Sequence, residues 1–306
     1  YSVIDMTLNN GLGAITTKNI LMNDSTYLAA EKLTAVKHCN GKDYWVVVTD
    51  IHTNGFYSYE ITSSGISTPV ISFVGSSNVY PRTAGYMKIS PNGKKLAKAY
   101  YYIGSGGPVG ELFDFDNSTG VVSNAIQLNF PYSGFTPFTP GAYGVEFSQD
   151  NTKLYQNVST LYLFQFDISS GDPSVINSWR TLIDSTLAQE TALQLAADGK
   201  IYSCGRQALD VINNPNNSGL VCNFQKNGFP LPPNYAEHGL PNFVCSFFNT
   251  DSKTLSASIN TMEFLSCKGD SVEFTSNSQL GNTYKWDFGD VSSGNLNYSS
   301  KEGSTY

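Results

Sequence analysis

Three histidines, His38, His52 and His238, are the only imidazoles among 306 residues. Acid–base catalysis at neutral pH favours an imidazole held within hydrogen-bond reach of a carboxylate or a nucleophile. Each histidine falls in or near a turn, and none has a carboxylate at a suggestive spacing. Gly-x-Ser-x-Gly, His-Glu-x-x-His and the phosphate-binding glycine loops are absent. One set suits hydrolase or lyase chemistry: Arg82, Glu146, Arg206 and His238, provided a ring of repeats brings them to one channel mouth. A polar lining of a water-filled channel is the plainer reading of the same residues. Asp287 and Asp290 form an Asp-x-x-Asp turn beside Trp286. Calcium takes about 6–8 oxygen ligands, so this pair reads as turn-stabilising.

The five cysteines are Cys39, Cys204, Cys222, Cys245 and Cys267, and none forms a CxxC pair. Neither a zinc nor a redox site is signalled, and no metal or cofactor is expected. Cys204 and Cys222 share one repeat and are the candidate disulfide; the alternative is two small, buried apolar residues. Aromatic residues are abundant, with 19 Tyr and 18 Phe. Tyr101 and Tyr102, and Phe135 and Phe138 in the Pro- and aromatic-rich residues 130–141, are candidates for stacking on sugars or proteins. Long loops on rigid scaffolds often carry binding. The competing reading is a loop that folds over its own repeat.

The elements that would position these residues recur. Met87-Lys88-Ile89-Ser90-Pro91-Asn92-Gly93-Lys94-Lys95-Leu96 is an apolar strand, a tight polar turn and a second strand. The same phrase begins at Ala35, at Val145 and at Leu193. Each is followed by an apolar-aromatic strand, at residues 56–61, 111–116, 161–167 and 209–212. Closing turns end in Gly65, Gly120, Gly171 and Gly219, about fifty residues apart. Four short strands per repeat of that length is the arithmetic of a β-propeller blade, which buries its faces only by stacking on neighbours. The innermost strands are predicted at residues 35–36, 87–89, 145–147, 193–195 and 243–247. No convincing helix is predicted, residues 185–194 being the nearest.

The ends are incomplete. Residues 1–22 read as the two outer strands of a blade, and residues 242–248 as an inner strand without a hairpin partner. Residues 1–249 are therefore predicted to hold four full blades flanked by two partial ones, with the remaining blades supplied by an N-terminal segment outside this chain. After a polar stretch from residue 250, short alternating strands suggest a small, incomplete β-sandwich over residues 250–306.

Charged residues make up only 14%, and the net charge is −7. A basic stripe is missing, which argues against nucleic-acid binding. No apolar run approaches the ~20 residues needed to cross a bilayer.

The C-terminal run Tyr284-Lys285-Trp286-Asp287-Phe288-Gly289-Asp290, after residues 267–275, resembles the signature of PKD domains, which are Ig-like sandwiches. Val291 stands where that family has a further Gly. Residues 31–38, 85–88, 111–117 and 239–243 resemble large secreted Bacteroidota proteins of the type IX secretion and gliding-motility-associated kind. That resemblance implies a seven-bladed propeller, PKD modules as stalk, and a sorting domain beyond this chain that engages the secretion machinery. It further implies cell-surface or extracellular residence and O-linked glycans at Asp-Ser sites, here Ser25, Ser185 and Ser271. It carries over no catalytic residue. The expected class is all-β, and the expected function is a non-enzymatic adhesion or assembly platform for a protein or glycan ligand. The alternative is a propeller lactonase or polysaccharide lyase carried on PKD modules.

Overall fold

The computed structural model describes residues 1–22, 27–78, 83–101, 108–130, 141–159, 161–187, 191–205 and 207–248, with 273–275, 286–287, 294, 298–299 and 303–305. Two compact units divide at Thr250. In the first, β1 (Val3–Asp5) and β2 (Ala14–Thr17) form an antiparallel hairpin. Blade one follows, with β3 (Ala29–Lys37), β4 (Tyr44–Asp50) and β5 (Gly55–Thr62) in order; β6 (Gly65–Ile66) and β7 (Val70–Phe73) both pair with β5. Blade two is β8 (Met87–Ile89), β9 (Lys95–Ala99), β10 (Gly110–Asp116) and β11 (Val121–Gln127). Blade three is β12 (Val145–Phe147), β13 (Lys153–Val158), β14 (Tyr162–Asp167) and β15 (Thr181–Asp184). Blade four is β16 (Leu193–Leu195), β17 (Ile201–Cys204), β18 (Ala208–Ile212) and β19 (Phe224–Pro230). The chain forms an all-β, propeller-like arrangement of four blades.

Turn chemistry sets the hairpin register. Ser90 Oγ accepts the Lys95 N–H at 2.9 Å, and Ser148 Oγ accepts the Lys153 N–H at 2.9 Å. Blade one departs: His38 replaces the serine, and its Nδ1 accepts the Asn40 N–H at 3.0 Å. Its Nε2 lies 3.7 Å from Glu60, a pairing across strands that sequence spacing did not reveal.

The blades stack through apolar faces. Val36, Trp45, Val47 and Phe56 pack on Met87, Ile89, Leu96 and Phe113 between blades one and two. Ala97, Ala99 and Leu112 meet Val145, Phe147, Phe164 and Phe166 between blades two and three. Tyr155, Leu163 and Ile183 meet Leu193, Leu195, Ile201 and Ile212 between three and four. The inner strands are neighbours in the order β3, β8, β12, β16. They approach so closely that a Cβ on Gly144 would fall on the Thr191 carbonyl.

Three expectations are corrected. Residues 242–248 are not a regular strand: Val244 makes one parallel bridge to Ala35, and Cys245–Phe248 is a 3₁₀ turn. Side chains replace the ladder there, Asn242 Nδ2 donating to the Leu33 carbonyl at 2.7 Å and Ser246 Oγ accepting the Lys37 N–H at 2.9 Å. A six-residue helix, α1 (Pro173–Ser178), lies in blade three, where none was expected. Asp172 caps it through the Ser174 and Val175 amides, and Pro173 starts it, the arrangement these residues favour. Finally, Cys204 and Cys222 are free thiols. Cys204 donates toward the Gly239 carbonyl, whereas Cys222 sits in the core under Tyr155 and Leu195.

In the second unit, β20 (Glu273–Thr275) pairs with β23 (Gly303–Thr305), and β21 (Trp286–Asp287) with β22 (Tyr298–Ser299), both antiparallel. Trp286 and Asp287 thus lie in a strand; Tyr284, Phe288, Gly289 and Asp290 fall outside the described residues.

Candidate functional site: the axial mouth and its plug

Residues just before each inner strand gather at one end of the axis. Tyr86 precedes β8, Tyr143 precedes β12, and His238 hydrogen-bonds through its carbonyl to the Ala192 N–H ahead of β16. The Tyr143 ring is central, edge-on to Tyr86 at 5.4 Å, to Tyr101 at 5.6 Å and to His238 at 6.5 Å. Its hydroxyl donates to Glu31 Oε1 of β3 at 2.6 Å, joining blade three to blade one. Burial, reinforced by the Glu31 carboxylate, pushes the Tyr143 phenol well above its ordinary value, so it stays a neutral donor. The Tyr86 hydroxyl donates to the Leu240 carbonyl at 3.1 Å. Gly85 has φ +109°, and a Cβ there would strike the Ala99 carbonyl, so only glycine lets the chain enter β8 at this point.

Beneath this mouth the axis is closed. Lys88 is fully buried, with Nζ 2.6 Å from Gln194 Oε1, 3.3 Å from Glu146 Oε2 and 3.4 Å from Asn242 Oδ1. Glu146 Oε1 also accepts the Phe147 N–H at 2.9 Å, and Oε2 the Leu195 N–H at 3.1 Å. Lys88, Glu146 and Gln194 occupy the middle position of their three-residue inner strands, so strand alternation aims them at one line.

This separates the four residues considered for catalysis. Glu146 lies in the plug, its carboxylate fully engaged, and is not a free base at the mouth. His238 is exposed at the mouth. Arg82 and Arg206 lie outside the described residues. Of the aromatic candidates, Tyr101 joins the mouth cluster; Tyr102, Phe135 and Phe138 lie outside. Ser185 is exposed in the bend after β15, and Ser25 and Ser271 are outside. Sequence reasoning missed Glu31, Tyr86 and Tyr143. Their recurring place just before or within an inner strand was the available signal. Among the described residues, no group of three or more His, Cys, Asp or Glu could hold a metal ion, and no helix is long and apolar enough to cross a membrane.

No family model matches the chain, and no curated protein matches it. Among solved structures, it is similar to a protein from Lactobacillus plantarum (13% identity, TM-score 0.47), covering 69% of this chain and 59% of that one. It is also similar to a Bacteroides fragilis protein provisionally assigned as a 6-phosphogluconolactonase (11% identity, TM-score 0.44), covering 75% of this chain and 65% of that one. A third is the extracellular domain of a provisionally assigned one-component system from B. thetaiotaomicron (14% identity, TM-score 0.37), covering 67% of this chain and 24% of that one. The chain thus spans 59% of the first of these neighbours.

Proposed function

We propose that the four blades belong to a secreted, non-enzymatic surface protein that binds a protein or glycan ligand at the axial mouth. The observation that carries this reading is the cluster of Tyr86, Tyr101, Tyr143, Glu31 and His238 above a closed, ion-paired plug. Tyrosine rings supply large apolar contact with little entropy to lose, and a carboxylate and an imidazole at their margin supply orientation. The axial carboxylate that would serve a hydrolase, Glu146, is held by an ammonium and two backbone amides.

The sequence resemblance extends this reading. The propeller is seven-bladed and followed by a PKD module acting as a spacer. The whole protein reaches the cell surface or the medium through the type IX route and serves adhesion or gliding motility. Ser25, Ser185 and Ser271 carry O-linked glycans; the exposure of Ser185 supports its place in that set. The second reading, a lactonase or polysaccharide lyase, draws on His238 and Glu31 meeting around Tyr143.

The test is binding of the 306-residue chain to arrays of bacterial surface polysaccharides and extracellular proteins, beside its Tyr143→Ala variant. Saturable binding lost in the variant supports the proposal. Turnover of gluconolactone or uronate polymers, abolished by His238→Ala, would replace it with the enzymatic reading.

A further inference from the structure

The rings of the axial mouth stand steeply to one another. Tyr86, Tyr101 and His238 make angles of 68°, 78° and 69° with the Tyr143 plane. Backbone bonds hold them there. The Tyr86 N–H donates to the Tyr143 carbonyl at 2.7 Å, the Ala99 N–H to the Tyr86 carbonyl at 2.9 Å, and the Tyr101 N–H to the Ala84 carbonyl at 3.2 Å. All three tyrosines are only partly buried. An aromatic face carries negative electrostatic potential, so such rings attract a cation. The chain already uses this pairing beside the plug, where Lys88 Nζ lies 5.5 Å from the Tyr86 ring centroid. It uses it again between blades one and two, where Lys98 Nζ lies 4.6, 4.8 and 5.3 Å from the Phe56, Tyr100 and Phe113 centroids.

The charge at the rim has the same sign as the ring faces. Glu31 is exposed, and the Tyr143 hydroxyl on its Oε1 fixes the carboxylate beside the rings. Among the described residues Glu31 has no ion-pair partner. Lys32, its neighbour in β3, is fully buried and donates to the Thr83 and Ala84 carbonyls, and Lys88 is paired with Glu146. Glu237, beside His238 in sequence, is exposed as well. A uronate or sulfated glycan would bring like charge to this rim and to a chain of net charge −7. A neutral sugar would stack on the rings but leave the carboxylate charge unmatched. A guanidinium answers both features, because it lies flat on an aromatic face and donates in-plane N–H groups to a carboxylate.

We propose that the mouth takes an arginine side chain presented by a protein partner, with the guanidinium on the tyrosine rings and its N–H groups on Glu31. This inference rests on the mouth being the binding site, and it narrows the ligand there to a basic protein segment.

Fluorescence anisotropy of a labelled, glycine-flanked arginine peptide tests it, beside the same peptide carrying citrulline, which keeps the shape and loses the charge. The 306-residue chain should bind the arginine peptide saturably and the citrulline peptide about tenfold more weakly. Glu31→Gln should remove that preference, and Tyr143→Ala should abolish binding of both. Asp172→Asn deletes a distant exposed carboxylate and keeps a good helix cap. It should leave the preference intact; a fall as large as in Glu31→Gln would mean bulk charge attraction and overturn the proposal. Equal binding of the two peptides by the parent chain, or binding of neither, would also overturn it. If a glycan or other array ligand is then still lost in Tyr143→Ala, the mouth remains the binding site and only the arginine assignment falls. If Tyr143→Ala changes the binding of no ligand, both readings fall.

Discussion

Replacing Lys88 by methionine would leave the Glu146 carboxylate at the axis with two backbone amides and no counter-charge. At 3.3 Å the attraction between the two groups is about 5 kcal/mol for an effective dielectric constant of about 20. Each ion loses several kcal/mol of hydration on burial, so the intact pair contributes far less than that figure, while a single deletion exposes the full imbalance. Lys88→Met should therefore lower stability by about 3–5 kcal/mol. Lys88→Met combined with Glu146→Gln should recover part of the loss, with a coupling energy of about 2 kcal/mol. Urea denaturation of the 306-residue chain, followed by tryptophan fluorescence, supplies the midpoints and slopes. A Lys88→Met loss below about 1 kcal/mol, or a double variant that equals the sum of the singles, would refute the axial ion pair as a tightly coupled element.

Tyr155→Phe removes a hydroxyl that links blade three to the Pro215 carbonyl and should cost about 1–2 kcal/mol in the same denaturation assay. Burial, with Asp210 adding to it, pushes the Cys204 thiol up to about 11, and burial also raises Cys222 and Cys245. At pH 8, iodoacetamide should label exposed Cys39 in the native protein and reach these three only after unfolding, as read by peptide mass mapping. Asp167 and Asp114 are raised by burial but held lower still by hydrogen bonds, from Ser169 and Lys153 in one case and Lys95 and Asn124 in the other; both end below 3.8. Their stabilisation is complete above that value and is lost as pH falls through the depressed one. Melting curves should show an acid loss that shrinks in Lys95→Met/Lys153→Met.

The architecture was legible because all four blades repeat the apolar strand, tight polar turn and second strand, and blades two and three repeat the turn chemistry as well. Ser90 and Ser148 close the same turn with the same hydroxyl, and an apolar strand stands on either side. The final inner strand was misread because residues 242–248 carry strand-like apolar residues, yet Asn242 and Ser246 use side chains where a ladder would use backbone. The helix at Pro173–Ser178 was signalled by Asp172-Pro173, but six residues are too few to show a helical period. The mouth was the least legible part. Glu31, Tyr86, Tyr101, Tyr143 and His238 come from five separate stretches, and only the stacking of the blades brings them together. Glu146 could be singled out by its place in an inner strand, but the strand pattern could not show that Lys88, on another blade, would neutralise it.

Binding without turnover at the axial mouth is tested most directly by equilibrium dialysis of the chain against its best array ligand, with mass analysis of the ligand recovered. The prediction is saturable retention by the parent chain, loss of retention in Tyr143→Ala, and a ligand recovered chemically unchanged. Retention that survives Tyr143→Ala, or a ligand recovered with an opened lactone or a cleaved glycosidic bond, would contradict it.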